Sequence, residues 1–176
     1  MKHPGRKGIM TTASADIRLT DTPESSSLRN GSLLMALAAV GFIGYAIIFF
    51  VRNFTDSFLE LGIGHSEVDV GKDAITQFSP SLYHYIGHLH IAVSGFIAAT
   101  GVAVLFLVWF GVRRGFMWAW VGAVSAPVLG LAVALPAHYP NNFDTIGHLG
   151  LIYLATVIFV VGALMSLNAM TKRPSI

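Results

Sequence analysis

"HLHIAVSGFIAATGVAVLFLVWF", residues His88 to Phe110, decides the fold. It runs for 23 residues without an Asp, Glu, Lys or Arg. Crossing the roughly 30 Å hydrocarbon core of a bilayer takes about 20 helical residues, and a helix is the single-segment structure that satisfies all its backbone polar groups there. Three more stretches meet the same test, Leu33 to Val51, Phe116 to Ala137 and Ile146 to Leu167, and none of them carries a charged side chain. With 54% apolar and 11% charged residues and a mean hydropathy of +0.66, the chain reads as an all-α integral membrane protein, a four-transmembrane-helix bundle.

The expected organisation is a disordered tail over 1–30, a membrane domain over 31–170 and a short tail over 171–176. Within the domain the spans are expected at about 33–51, 82–110, 116–137 and 144–168, with one sizeable loop over 52–80. In that loop Phe54, Phe58 and Leu61 recur at helical spacing, which predicts a short amphipathic surface helix. Ser79 followed by Pro80 predicts a capped start to span two, and Asn142 or Asp144 is expected to cap span four. In span three, Gly122, Ala126, Gly130 and Ala134 fall at every fourth position, a stripe expected to let a neighbouring backbone approach closely.

Basic residues are retained on the cytoplasmic side of a membrane. Lys2, Arg6, Lys7, Arg18 and Arg29 precede span one, Arg113 and Arg114 lie between spans two and three, and Lys172 and Arg173 follow span four. Only Arg52 and Lys72 lie on the other side. Both termini are therefore expected in the cytoplasm, loops 52–80 and 138–145 outside, and the location in a bacterial plasma membrane. The apolar run begins too late for a cleaved signal peptide, and Met10 is an alternative start to Met1.

Several function classes drop out. There is no cysteine for disulfides, thiolate metal sites or thiol nucleophiles. No glycine-rich phosphate loop or basic patch follows a strand pattern, so nucleotide and nucleic-acid binding lack support. Histidine is the one ionisable residue type at membrane depth, which argues against a carboxylate proton or sodium relay.

Histidine is also what sets the chain apart. Of seven, His84, His88, His90, His138 and His148 fall at the outer ends of spans two, three and four, and His65 lies in the outer loop. "PSLYHYIGHL" from Pro80 and "PNNFDTIGHL" from Pro140 share Pro, Ile, Gly, His and Leu in register, suggesting two related helical hairpins. Residues four apart stack on one helix face, so His84 with His88 and Asp144 with His148 each form a two-ligand pair. If the two helix ends adjoin, His84, His88, Asp144 and His148 make a first shell suited to Zn, Cu or Fe. His138, His90, His65 and Glu67 are the candidate supporting or alternative ligands, with His138 or Glu67 also placed as a proton acceptor. An alternative cofactor is haem b, held axially by His88 and His148. A plainer reading makes His and Tyr interfacial residues and Gly87 and Gly147 points of helix crossing.

The layout of four short spans resembles the DoxX-like class of small bacterial membrane proteins, a likeness that implies no function. The His84-x-x-x-His88 spacing is similar to one histidine box of membrane fatty-acid hydroxylases and desaturases, which need several more histidines on the cytoplasmic side. Asp144-x-x-x-His148 resembles copper-ligand spacing in the membrane subunits of copper monooxygenases, but the later histidine of such sites is missing after His148.

Three functions compete: a membrane metalloprotein, as enzyme or carrier; a haem-bearing electron-transfer subunit; and a cofactor-free accessory subunit. The lipid bilayer is the expected environment, and a second copy or a membrane-complex subunit the expected protein partner.

Overall fold

The computed structural model describes residues 23–55 and 61–172, and all of its regular structure there is helical. The elements are α1 (Pro23–Thr55), α2 (Lys72–Phe78), α3 (Pro80–Phe110), α4 (Met117–Ala134) and α5 (Ile146–Thr171). Four of these are long and apolar enough to cross a bilayer, over Ser26–Thr55, Pro80–Arg114, Met117–Ala137 and Ile146–Thr171. The protein is thus a four-helix integral membrane protein. Large apolar side chains such as Phe106, Leu129, Val133 and Leu164 face outward, as they must where the solvent is lipid.

The helix ends follow local chemistry. Ser79 caps α3, its hydroxyl accepting from the Leu82 amide at 3.2 Å, and Pro80 takes the first helical position, where no N–H is needed. Between α3 and α4 the chain reverses through a 3₁₀ turn, Val112–Arg114, and Gly115 at φ 82°. Only glycine enters that backbone region without steric penalty. α4 contains Pro127 and passes into a 3₁₀ turn at Leu135–Ala137, next to Pro136.

α1 organises the packing: its widest contacts are with α5 and with α3, while α4 leans on α3. Close approach depends on glycine. A Cβ on Gly31 would come within 2.7 Å of the Gly162 carbonyl oxygen, and one on Gly162 within 2.6 Å of the Gly31 carbonyl oxygen, so α1 and α5 touch backbone to backbone. At the α3–α4 turn a Cβ on Gly111 would overlap that of Ala119. The buried core lies in this half of the bundle, built from Met35, Ala39, Val104, Val108, Ala119, Ala123, Phe159 and Ala163.

Three expectations change against this frame. α1 begins at Pro23, inside the stretch expected to be a tail, while residues 1–22 lie outside the described part. α5 is capped by Thr145, not by Asn142 or Asp144, because Asn142 takes a left-handed conformation (φ 57°) and Thr145 the extended one (φ −66°, ψ 148°) that a cap requires. The small-residue stripe of α4 does not seat a neighbouring backbone along its length: a Cβ on Gly130 would meet nothing within 4 Å. The amphipathic helix expected across Phe54, Phe58 and Leu61 falls largely on residues 56–60, outside the described part.

Candidate functional site

Away from the dense half, the four spans part around a cavity of about 310 Å³. Phe42 and Tyr45 of α1, Ile97, Thr100 and Val104 of α3, Ala126, Gly130, Leu131 and Ala134 of α4, and Ile152 and Phe159 of α5 help supply its wall. Ala126, Gly130 and Ala134 of the α4 stripe line this space, so their small side chains make room. α4 and α5 are tied on either side of the chamber. Toward the α3–α4 turn, Trp120 Nε1 donates to the Ala163 carbonyl at 3.0 Å. At the histidine end the Tyr139 and Tyr153 hydroxyls lie 3.3 Å apart, within hydrogen-bond reach.

The histidine end is built on the start of α5. Thr145 Oγ1 accepts from the His148 amide at 3.2 Å and donates to the Gly62 carbonyl at 3.3 Å. That second bond seats the 61–64 segment on the helix end. Gly62 sits at φ 75°, and a Cβ there would overlap the Gly147 carbonyl group. Gly147 in turn presents bare backbone, with Gly62 Cα 3.4 Å from where its own Cβ would be.

Under this segment His148 is 1% exposed, and its Nδ1 lies 2.8 Å from the Leu61 carbonyl oxygen. A carbonyl only accepts, so Nδ1 carries the proton and the neutral ring has its lone pair on Nε2. His138 is fixed in the same tautomer, its Nδ1 donating to the Ala134 carbonyl at 2.9 Å. The turn after α4 folds back, with the Phe143 amide donating to the His138 carbonyl at 3.0 Å, and the two imidazole centroids come to 5.1 Å. Neither imidazole lines the chamber, but each lies four residues along the chain from a residue that does. Ala134 lines the chamber and holds His138, and Ile152 lines it one helical turn beyond His148.

No family model, curated protein or solved structure matches the chain. The site therefore rests on its own geometry.

The other sequence candidates are dispersed. His84 and His88 are exposed on α3, with the His84 ring 5.4 Å from that of Tyr83. His90 is half-buried, its ring 4.9 Å from Phe49 of α1. Asp144 and His65 are exposed. α3 and α5 each pack on α1 far more than on one another, so His84 and His88 stand on a different flank of α1 from Asp144 and His148. Among the described residues, no three or more His, Asp or Glu side chains group as they would around one metal ion. The proposed haem pair, exposed His88 and buried His148, is divided between the same two helices.

Glu67 closes the loop turn. Its Oε1 accepts from the Ser66 hydroxyl at 2.7 Å and its Oε2 from the Gly64 amide at 2.8 Å, and these bonds hold its carboxyl below the ordinary carboxylate value. The matched "IGHL" letters also serve different ends: a Cβ on Gly87 would lie 3.6 Å from Asn53 Oδ1 of α1, whereas Gly147 receives Gly62. Tyr153 and Thr145 were not singled out from sequence. Tyr153 is the one tyrosine in span four, and Thr145 directly precedes the first helical residue, which are the signals that mark them.

Proposed function

We propose that the protein binds a small, largely apolar molecule drawn from the bilayer, held in the chamber between the spans. The supporting observation is the chamber itself, walled by all four spans and lined almost wholly by apolar side chains, with Tyr45 and Thr100 the polar side chains among them. Ligand sites have this composition, an apolar wall with a few placed polar groups, and start at volumes of about 300 Å³. The distribution of Lys and Arg supports a reading in which the histidine end lies on the outer face of the membrane.

Gly130→Phe tests the reading, because the glycine lines the chamber and an added Cβ meets nothing there. Protein purified in mild detergent is extracted with organic solvent and its co-purifying small molecules are measured by mass spectrometry. A species enriched with the wild type and depleted about tenfold in Gly130→Phe supports binding, and equal recovery from both refutes it.

A second reading is one transition-metal ion, Zn, Cu or Fe, at Nε2 of His138 and His148. It is favoured by both Nδ1 atoms donating to backbone carbonyls, the way metal-ligating histidines are usually oriented. Elemental analysis of untagged protein tests it. One equivalent that survives His84→Ala and disappears in His138→Ala supports it, and metal-free protein that takes up no added metal refutes it.

A further inference from the structure

We infer that α2 is an interfacial helix, and that the face formed by Ala74 and Phe78 is covered by the phospholipid bilayer at headgroup depth. This holds whatever the chamber binds. The helix is divided lengthwise. Ala74 and Phe78, four residues apart, share one face, while Asp73, Thr76 and Gln77, at spacings of three and four, share another. Lys72 and Ile75 are its half-buried members, and the Lys72 ammonium lies 5.5 Å from the centre of the Tyr83 ring, which sets α2 against the first turn of α3. No residue of α2 is buried, and Phe78 is 84% exposed.

The position of α2 says what covers the apolar side. α3 has 31 residues and is therefore about 46 Å long, against about 40–45 Å for a bilayer measured across both headgroup layers. Its far end carries Trp109 with the Arg113 guanidinium 4.1 Å from the centre of the ring, an aromatic and basic pair suited to one membrane interface. Its near end then lies at the other interface. Ser79, extended at φ −159°, is the single residue between α2 and α3, so α2 is held at that same depth. The exposed Leu82, Tyr85 and Leu89 recur at spacings of three and four along α3, and Phe78, four residues before Leu82, stands at the head of this lipid-facing row. A helix with one apolar and one polar face at that depth buries the apolar one at the boundary of headgroups and acyl chains.

The chain contains no cysteine, so single cysteines can be spin-labelled without background. The full chain is reconstituted in phosphatidylcholine vesicles with a nitroxide at Asp73→Cys, Ala74→Cys, Thr76→Cys, Gln77→Cys or Phe78→Cys. Leu129→Cys serves as the lipid reference and Asp69→Cys as the water reference, both positions being exposed. Collision with oxygen, which concentrates in lipid, is compared with collision with a water-soluble nickel chelate. The oxygen-to-nickel ratio is expected to rise toward that of Leu129→Cys at positions 74 and 78, and to fall toward that of Asp69→Cys at 73, 76 and 77. A ratio equally low at all five positions overturns the inference, because α2 then stands in water. Little collision with either reagent at 74 and 78 also overturns it, because a protein surface then covers the face. α2 contributes nothing to the buried core, so these substitutions should leave the bundle intact, and Ala74→Cys alone tests the face if Phe78→Cys does not fold.

Discussion

Gly62→Ala should disconnect the loop from the histidine pair. A methyl at position 62 would overlap the Gly147 carbonyl group and crowd the His148 amide, so the segment must withdraw by about 1.4 Å to restore carbon contact near 3.5 Å. Two further penalties coincide. Alanine at φ 75° costs about 1 kcal/mol relative to glycine, and withdrawal takes the Leu61 carbonyl from His148 Nδ1, leaving a buried N–H unmatched at about 1–3 kcal/mol. The sum, about 2–4 kcal/mol, raises the open population of the segment by a factor between about thirty and several hundred. Hydrogen exchange of the 61–71 amides reads the opening, and ¹⁵N NMR of the His148 ring reads whether the proton stays on Nδ1. Gly64→Ala is the control, because its Cβ would meet only Glu67 Oε2 at 3.7 Å and Ser66 Oγ at 4.0 Å. Unchanged protection and an unchanged ring spectrum in Gly62→Ala would refute the claim that this segment fixes the His148 tautomer.

Two other predictions follow from the same contacts. Gly162→Ala places a Cβ 2.6 Å from the Gly31 carbonyl oxygen and 2.8 Å from the Met35 amide nitrogen, so it should destabilise the α1–α5 crossing by about 1–3 kcal/mol. A lower Tm in detergent than that of Gly44→Ala, whose Cβ meets nothing within 4 Å, is the expected result. Glu67 titrates below its ordinary value of 4.5 because the folded turn donates to its carboxylate, so its contribution is present above that value and lost as pH falls through the lower folded value. Protection of the Gly64 amide, corrected for intrinsic exchange, should be flat near neutral pH and fall only in that acidic window, and Glu67→Gln should remove the acid step.

The fold was legible because the length of an uncharged apolar run is a physical requirement of the bilayer, and four runs meet it. Ser79-Pro80 was legible for a similarly local reason. The cap of α5 was harder, because Asn142, Asp144 and Thr145 are all capping residues within four positions, and the choice depends on where the chain turns. The histidine arrangement is a question of neighbours. Spacing tells which side chains share a helix face, so His84 with His88 and Asp144 with His148 were readable as pairs. It carries no information on which helices adjoin, and the placement of α3 and α5 on α1 decided that. The partner His138 reaches His148 across a turn of ten residues, and the group that fixes the His148 tautomer is a backbone carbonyl 87 residues away. Backbone acceptors leave no mark in a sequence.

Small residues have two opposite uses in this bundle, and the difference lies in the neighbour. Gly31 with Gly162 and Gly111 with Ala119 face another element at contact distance, so their smallness becomes close packing. Gly130, with Ala126 and Ala134, faces no helix close enough to fill the gap, and the same smallness becomes volume. The buried core is concentrated on the first side of this division and the chamber lies on the second. Stability and site are therefore carried largely by different halves of the same helices, which meet at Val104 and Phe159. That separation is why Gly130→Phe should leave the fold intact while Gly162→Ala weakens it, even though both replace a glycine in an apolar span by something larger. It also explains the ties on either side of the chamber. Trp120 of α4 on the Ala163 carbonyl, and Tyr139 in the turn after α4 against Tyr153, link this part of the chain to α5 on either side of the chamber.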